Sequence, residues 1–192
     1  MCERRVIITV LYFIISGFSL KSFPQTQNHN SCDSPEAKQF DFWIGDWSID
    51  QEILQKSGEW LKLKAETKVS RVWDGCALIE NWKGNVQFFW EGMDQPEKMR
   101  GYSLRYFDAV KKKWTITWYD DRSQKATFFE GIFVDSVGKF YRNSTSTEGK
   151  DMITRIIFSD ISASFVKWQL SVSNDNGKSW TLLWAMNMRK KE

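Results

Sequence analysis

The side chains able to do chemistry are few, and most are charged groups set into otherwise apolar alternating runs. Glu80 lies between Leu78 and Trp82, Glu130 between Phe128 and Ile132, and Arg155 between Ile153 and Ile157, while Arg142 follows Phe140 at the same parity. If those faces point inward, two carboxylates and one or two guanidinium groups share a low-dielectric interior. Burying a lone charge is costly, so such groups must pair or meet the polar end of a ligand. Two chemistries follow. The charges fix the polar end of a small bound molecule, or a glutamate with a pKa raised by burial carries a proton. The plainer alternative is that some of these faces point outward, or that Glu80 and Arg155 form a structural salt bridge. Trp82 and Trp118 are the expected pocket wall, each near a polar group, Glu80 and Asp120 respectively.

What is absent narrows the choice. The one histidine, His29, lies in a polar leader. A Ser-His-Asp triad, a Cys-His pair, a histidine-ligated haem and a multi-histidine metal site therefore lack their central group. No phosphate-cradling glycine loop occurs. No metal and no cofactor are expected. The net charge of +3 falls to about +1 without residues 1–22, which carry Arg4, Arg5, Lys21 and Glu3. That balance offers no electrostatic footprint for nucleic acid. The run Lys111-Lys112-Lys113 reads as a solvated hairpin loop.

The elements that must position these residues are strands. Leu61, Leu63, Ala65, Thr67 and Val69 alternate with Lys62, Lys64, Glu66, Lys68 and Ser70, a half-buried strand with one wet face. Trp114, Ile116 and Trp118 repeat the pattern, as do Val166 to Val172 and Trp180 to Met188. Turn chemistry separates the runs at Lys56-Ser57-Gly58, Asp74-Gly75, Asp135 to Gly138 and Asn174 to Gly177. About ten strands are predicted, near 47–55, 59–73, 76–82, 101–107, 113–120, 126–134, 138–144, 152–159, 164–173 and 179–189. Helical periodicity is confined to a possible turn over Ser34 to Phe42. Short connections favour an all-β antiparallel up-and-down meander, closed into a barrel rather than opened as a sandwich with two edges. The gap Lys83 to Arg100 has two readings: Phe88, Phe89 and Trp90 fold over an open barrel end as a lid, or Val86 to Trp90 form one more strand.

The N-terminal region reads as an address. Arg4 and Arg5 precede the apolar run Val6 to Phe18, and Gly17-Phe18-Ser19 offers a small-x-small cleavage pattern. The run, about 13 residues, is short for a bilayer span, so residues 1–22 are expected to be a signal peptide, 23–35 a flexible leader and 36–192 one β-barrel domain. No membrane insertion is expected after signal removal, and the protein is expected to be exported. Cys32 and Cys76 would then form a disulfide, closing a loop of about 45 residues and stabilising the fold by roughly 4 kcal/mol. The alternative is two unpaired thiols.

Two motifs remain. Ser173-Asn174-Asp175-Asn176-Gly177-Lys178-Ser179-Trp180 matches the Asp-box pattern and reads as a tight turn in which Asp175 binds backbone amides and Gly177 supplies positive φ. Phe40-Asp41-Phe42-Trp43-Ile44-Gly45-Asp46-Trp47 puts large aromatics ahead of the first strand, where such a segment plugs one barrel end. With Gly75 to Trp82, Gly101-Tyr102-Ser103, Tyr106-Phe107-Asp108, Trp114 to Asp120 and Ser173 to Trp180, this motif resembles the domain-of-unknown-function family numbered 1579, over roughly residues 32 to 189. Gly45-Asp46-Trp47 is also similar to the Gly-x-Trp that begins the first strand of lipocalins. The resemblance implies a lipocalin- or calycin-like β-barrel and carries no settled activity.

The functional expectation is an exported, non-catalytic carrier or sensor of a small hydrophobic or amphipathic ligand, held by Glu80, Trp82, Trp118, Asp120, Glu130 and Arg155. An isomerase, cyclase or hydrolase using Glu80 or Glu130 stands second, and a protein- or glycan-binding module using the aromatics around Phe88 to Trp90 third.

Overall fold

The computed structural model describes residues 32–145 and 149–192. The expected signal peptide, most of the expected leader and His29 lie outside the described residues. Ten strands follow one another along the chain: β1 (Gly45–Leu54), β2 (Trp60–Val72), β3 (Ala77–Val86), β4 (Glu97–Asp108), β5 (Lys113–Asp120), β6 (Thr127–Val134), β7 (Val137–Thr145), β8 (Asp151–Ser159), β9 (Phe165–Ser173) and β10 (Thr181–Lys190). Each pairs antiparallel with its sequence neighbours, and β1 pairs with β10, so the sheet closes into a barrel. Closure removes the free edges that a ten-strand open sheet would expose.

Local chemistry sets the turns. Asp135 and Ser136 both take positive φ between β6 and β7, the backbone of a tight hairpin whose twist matches its strands. Between β4 and β5, Asp108 accepts hydrogen bonds from the amides of Val110 and Lys111, both at 3.0 Å. The Asp-box segment is the β9–β10 turn. Asp175 accepts from the Ser173 hydroxyl at 2.7 Å and the Ser179 amide at 2.9 Å. Those bonds hold its carboxyl down at about 2, with the Ser179 hydroxyl the largest cause.

The two barrel ends differ. At the end where β1 begins, Phe40 is fully buried and meets Trp114, Phe133, Phe140 and Phe158 at ring-centroid distances of 4.8 to 5.5 Å. Trp43 stacks on Trp47 at 5.3 Å, and the Trp47 indole donates to the Trp43 carbonyl at 2.8 Å. The opening motif is thus a plug. Gly45 follows it with φ +125°, so a side chain at this position is strained in backbone, and the end of the Lys190 side chain would have to move aside. Cys32 and Cys76 form a disulfide that ties the plug segment to the β2–β3 connection. Arg71 reinforces it, pairing with Asp41 and donating to the Gly75 carbonyl at 3.0 Å.

Candidate functional site

The buried polar group at the heart of the barrel is Glu80, and its partner is Arg105 rather than Arg155. Glu80 sits on β3 opposite Val69 of β2 and Ser103 of β4. It is 4% exposed, and Arg105 is 5% exposed. Arg105 Nη2 donates to Glu80 Oε2 at 2.5 Å, the Ser103 hydroxyl donates to the same oxygen at 2.8 Å, and the Thr67 hydroxyl donates to Oε1 at 3.1 Å. The guanidinium is surrounded by Phe40, Trp43 and Phe158 at 5.2 to 5.5 Å from the ring centroids. Such faces attract a cation. Burial pulls the Arg105 pKa below its ordinary value, and the Glu80 carboxylate opposes that fall. The pair therefore forms the floor above the plug.

Two charges expected inside lie elsewhere. Glu130 faces outward, half-exposed, and its Oε1 pairs with Lys111 at 3.0 Å. β6 carries apolar residues on both faces; Phe129, at 5% exposure, points inward, so Glu130, its neighbour, points out. Arg155 also faces outward because Thr154, Ile156 and Phe158 fill the inner side of β8. It stacks on Trp180 at 3.9 Å, beside Tyr141. No Glu80–Arg155 salt bridge forms. Arg142 keeps the inward parity of Phe140 but stands exposed at the far end of β7, opposite Thr154.

The other half of the interior is walled by indoles. Trp82 is buried and meets Trp118 at 6.3 Å and Trp184 at 5.9 Å, and Trp168 meets Trp184 at 5.1 Å. Gln51 links the wall, accepting from the Trp184 indole at 2.8 Å and donating to the Asn85 carbonyl at 2.7 Å. Gly101 makes room: a Cβ there would fall 1.9 Å from the Trp118 ring. Asp120 accepts from the Trp118 indole at 3.1 Å, and from the Ser123 hydroxyl and amide at 2.8 and 2.7 Å. Its carboxylate caps the β5–β6 turn and orients Trp118.

The segment between β3 and β4 lies across this second end. β3 runs to Val86, and Phe88 then packs on Trp184 at 5.1 Å and stacks with Trp90 at 4.9 Å. Phe88 is buried, Phe89 half-buried and Trp90 more exposed. Arg122 ties the segment to the β5–β6 turn through Glu91 at 3.1 Å and Glu97 at 3.2 Å. Burial raises the Glu91 pKa, and Arg122 works against that rise. Cover is incomplete. Inward-facing Trp118, Met152 and Leu170, on β5, β8 and β9, are half-buried, whereas Ile53, Val86 and Met99, on β1, β3 and β4 at the same end, are at most 3% exposed.

Sequence reasoning missed Arg105, and a signal for it exists. Gly101, Ser103 and Arg105 share one parity, and Tyr102, Leu104 and Tyr106 the other. The more apolar set is the outward one. An all-β barrel closed at one end by aromatics and lined by tryptophan at the other is the class these features define. No family model matches the chain, and no curated protein matches it. Among solved structures the chain is similar to the S-type phycobiliprotein lyase CPES from Guillardia theta, at 10% identity, covering 83% of this chain and 98% of that one with a TM-score of 0.51. A protein of unknown function from the DUF3598 family of Nostoc punctiforme also matches, at 7% identity over 82% and 100% of the two chains, but with a TM-score of only 0.26. The first likeness establishes a shared fold, a closed antiparallel calycin-like barrel.

Proposed function

We propose that the protein is an exported carrier or sensor of a small apolar or amphipathic molecule, taken up at the Trp118 end of the barrel. One observation carries the reading: at the second end of the barrel the inward wall is left half-exposed on the β5, β8 and β9 side, around Trp118, Met152 and Leu170. Small barrels have room for one such ligand. The Phe88 to Trp90 segment acts as a lid, latched by Arg122. Export is supported by the basic and apolar N-terminal run in the sequence and by the Cys32–Cys76 disulfide. No helix among the described residues is long and apolar enough to cross a membrane. As part of this proposal, membership of the family numbered 1579 rests on the resemblance of the opening motif alone. Both Glu80 oxygens already accept hydrogen bonds, which keeps proton transfer by Glu80 a second reading.

Uptake of N-phenyl-1-naphthylamine, a neutral fluorescent probe, tests the proposal. Saturable binding is expected, weakened at least tenfold in Leu170→Trp, which fills the opening from β9. If the native protein takes up no probe and its tryptophan emission ignores added apolar molecules, the carrier reading is wrong.

A further inference from the structure

Among the described residues, every buried side-chain atom without a hydrogen-bond partner is a nitrogen: Nε1 of Trp43 and of Trp82, Nε and Nη1 of Arg105, and Nε of Arg155. Arg155 belongs to the outer face. The other four nitrogens lie inside the barrel. The interior acceptors, by contrast, are engaged: Glu80 by Thr67, Ser103 and Arg105, and Gln51 Oε1 by Trp184. An unmade hydrogen bond in such surroundings is costly. The interior therefore has bare donors, while each of its carboxylate and amide oxygens already accepts at least one hydrogen bond.

Charge imposes a second filter. Among the described residues the buried charged side chains are Glu80 and Arg105, and they cancel. A carboxylate entering this space adds an uncompensated negative charge in a low dielectric. An ammonium adds a positive charge and three more donors. A hydroxyl accepts, but it adds one more donor where donors are already in surplus. A ketone or ester oxygen accepts and brings neither charge nor donor.

We infer that the molecule bound in this barrel has a neutral carbonyl-type acceptor as its polar group, seated against Trp82 Nε1. Among the orphaned donors, Trp82 is the one packed against half-buried Trp118 at the open end. Trp43 and Arg105 stand behind Glu80 among the plug rings. The inference rests on the carrier reading and names its ligand class.

Calorimetric titration with 2-decanone, 1-decanol, decanoate and decylamine tests it, since the four share one chain length and differ at the head. 2-Decanone is expected to bind at least tenfold tighter than decanoate or decylamine and several-fold tighter than 1-decanol. Trp82→Phe keeps a ring and deletes the donor, and should cut 2-decanone affinity about fivefold, the scale of one neutral hydrogen bond. Glu80→Gln leaves Arg105 uncompensated, so it should reverse the order and make decanoate the better ligand. These two variants are independent, so failure of one to fold leaves the other decisive. Equal binding of all four overturns the inference and leaves the carrier reading standing. Tightest binding of decanoate or decylamine by the native protein does the same. Binding of none overturns both.

Discussion

Removing Glu80 and Arg105 singly and together gives the sharpest test of how this interior is held. Glu80→Leu strands a guanidinium that is 5% exposed and whose only hydrogen-bond acceptor among the described residues is that carboxylate. Breaking one side of such a pair costs about 3–5 kcal/mol. Arg105→Met strands the carboxylate, but Ser103 and Thr67 still donate to it, so its cost should fall at the lower end of that range. The double variant replaces the pair with apolar groups of similar size, a change that is often close to neutral. Its residual cost is mainly the Ser103 hydroxyl, which loses its acceptor, roughly 1 kcal/mol. Thr67 keeps the Asn81 carbonyl at 3.1 Å. The double variant should therefore be more stable than either single one, with a coupling of at least about 3 kcal/mol. Urea unfolding followed by tryptophan emission measures all four corners of the cycle. A double variant as unstable as the sum of the singles would show that the ion pair does not hold the floor as argued.

Three further outcomes follow. Gly131→Ala should destabilise by about 2 kcal/mol or more, because its Cβ would fall 2.0 Å from the Lys139 carbonyl oxygen on the paired strand; a thermal melt that is unchanged would contradict this. Loss of the Cys32–Cys76 bridge, with a sequence separation of 44, should lower stability by roughly 4 kcal/mol, read from denaturation of Cys32→Ser/Cys76→Ser. The Asp175 carboxyl should titrate near 2 by NMR; a depressed carboxyl gives stability that is present above the unfolded value of about 4 and is lost as pH falls through the folded value, so a β9–β10 turn that loosens already at pH 4 would refute the assignment.

Much of the wall was legible because most of its strands alternate and several hairpin turns carry Gly, Asp or Asn where positive φ is needed. β3 and β4 run past their expected limits of 76–82 and 101–107, to Val86 and from Glu97. Gly84 and Gly101 hid that, since both stand at inward positions where neighbours take the space: a Cβ at Gly84 would fall 2.5 Å from the Ala65 Cβ on the paired strand, and one at Gly101 would meet the Trp118 ring. Side-chain direction was the harder question. β6 and β8 have apolar residues at both parities, so period two fixes the strand without fixing its inner face. Glu130 and Arg155 were misplaced for that reason. Arg105 escaped notice because β4 turns its aromatic parity, Tyr102 and Tyr106, away from the core, and a guanidinium reads as surface unless its carboxylate partner is known.

The seam between β1 and β10 has a consequence for biosynthesis. Strand Gly45–Leu54 is made early, but one of its two neighbours is Thr181–Lys190. A nascent chain can lay down nine strands in order as a growing ribbon and still cannot zip shut until the tenth has left the ribosome. Until then the ribbon keeps two sticky margins, and a product stopped before residue 181 should clump rather than fold.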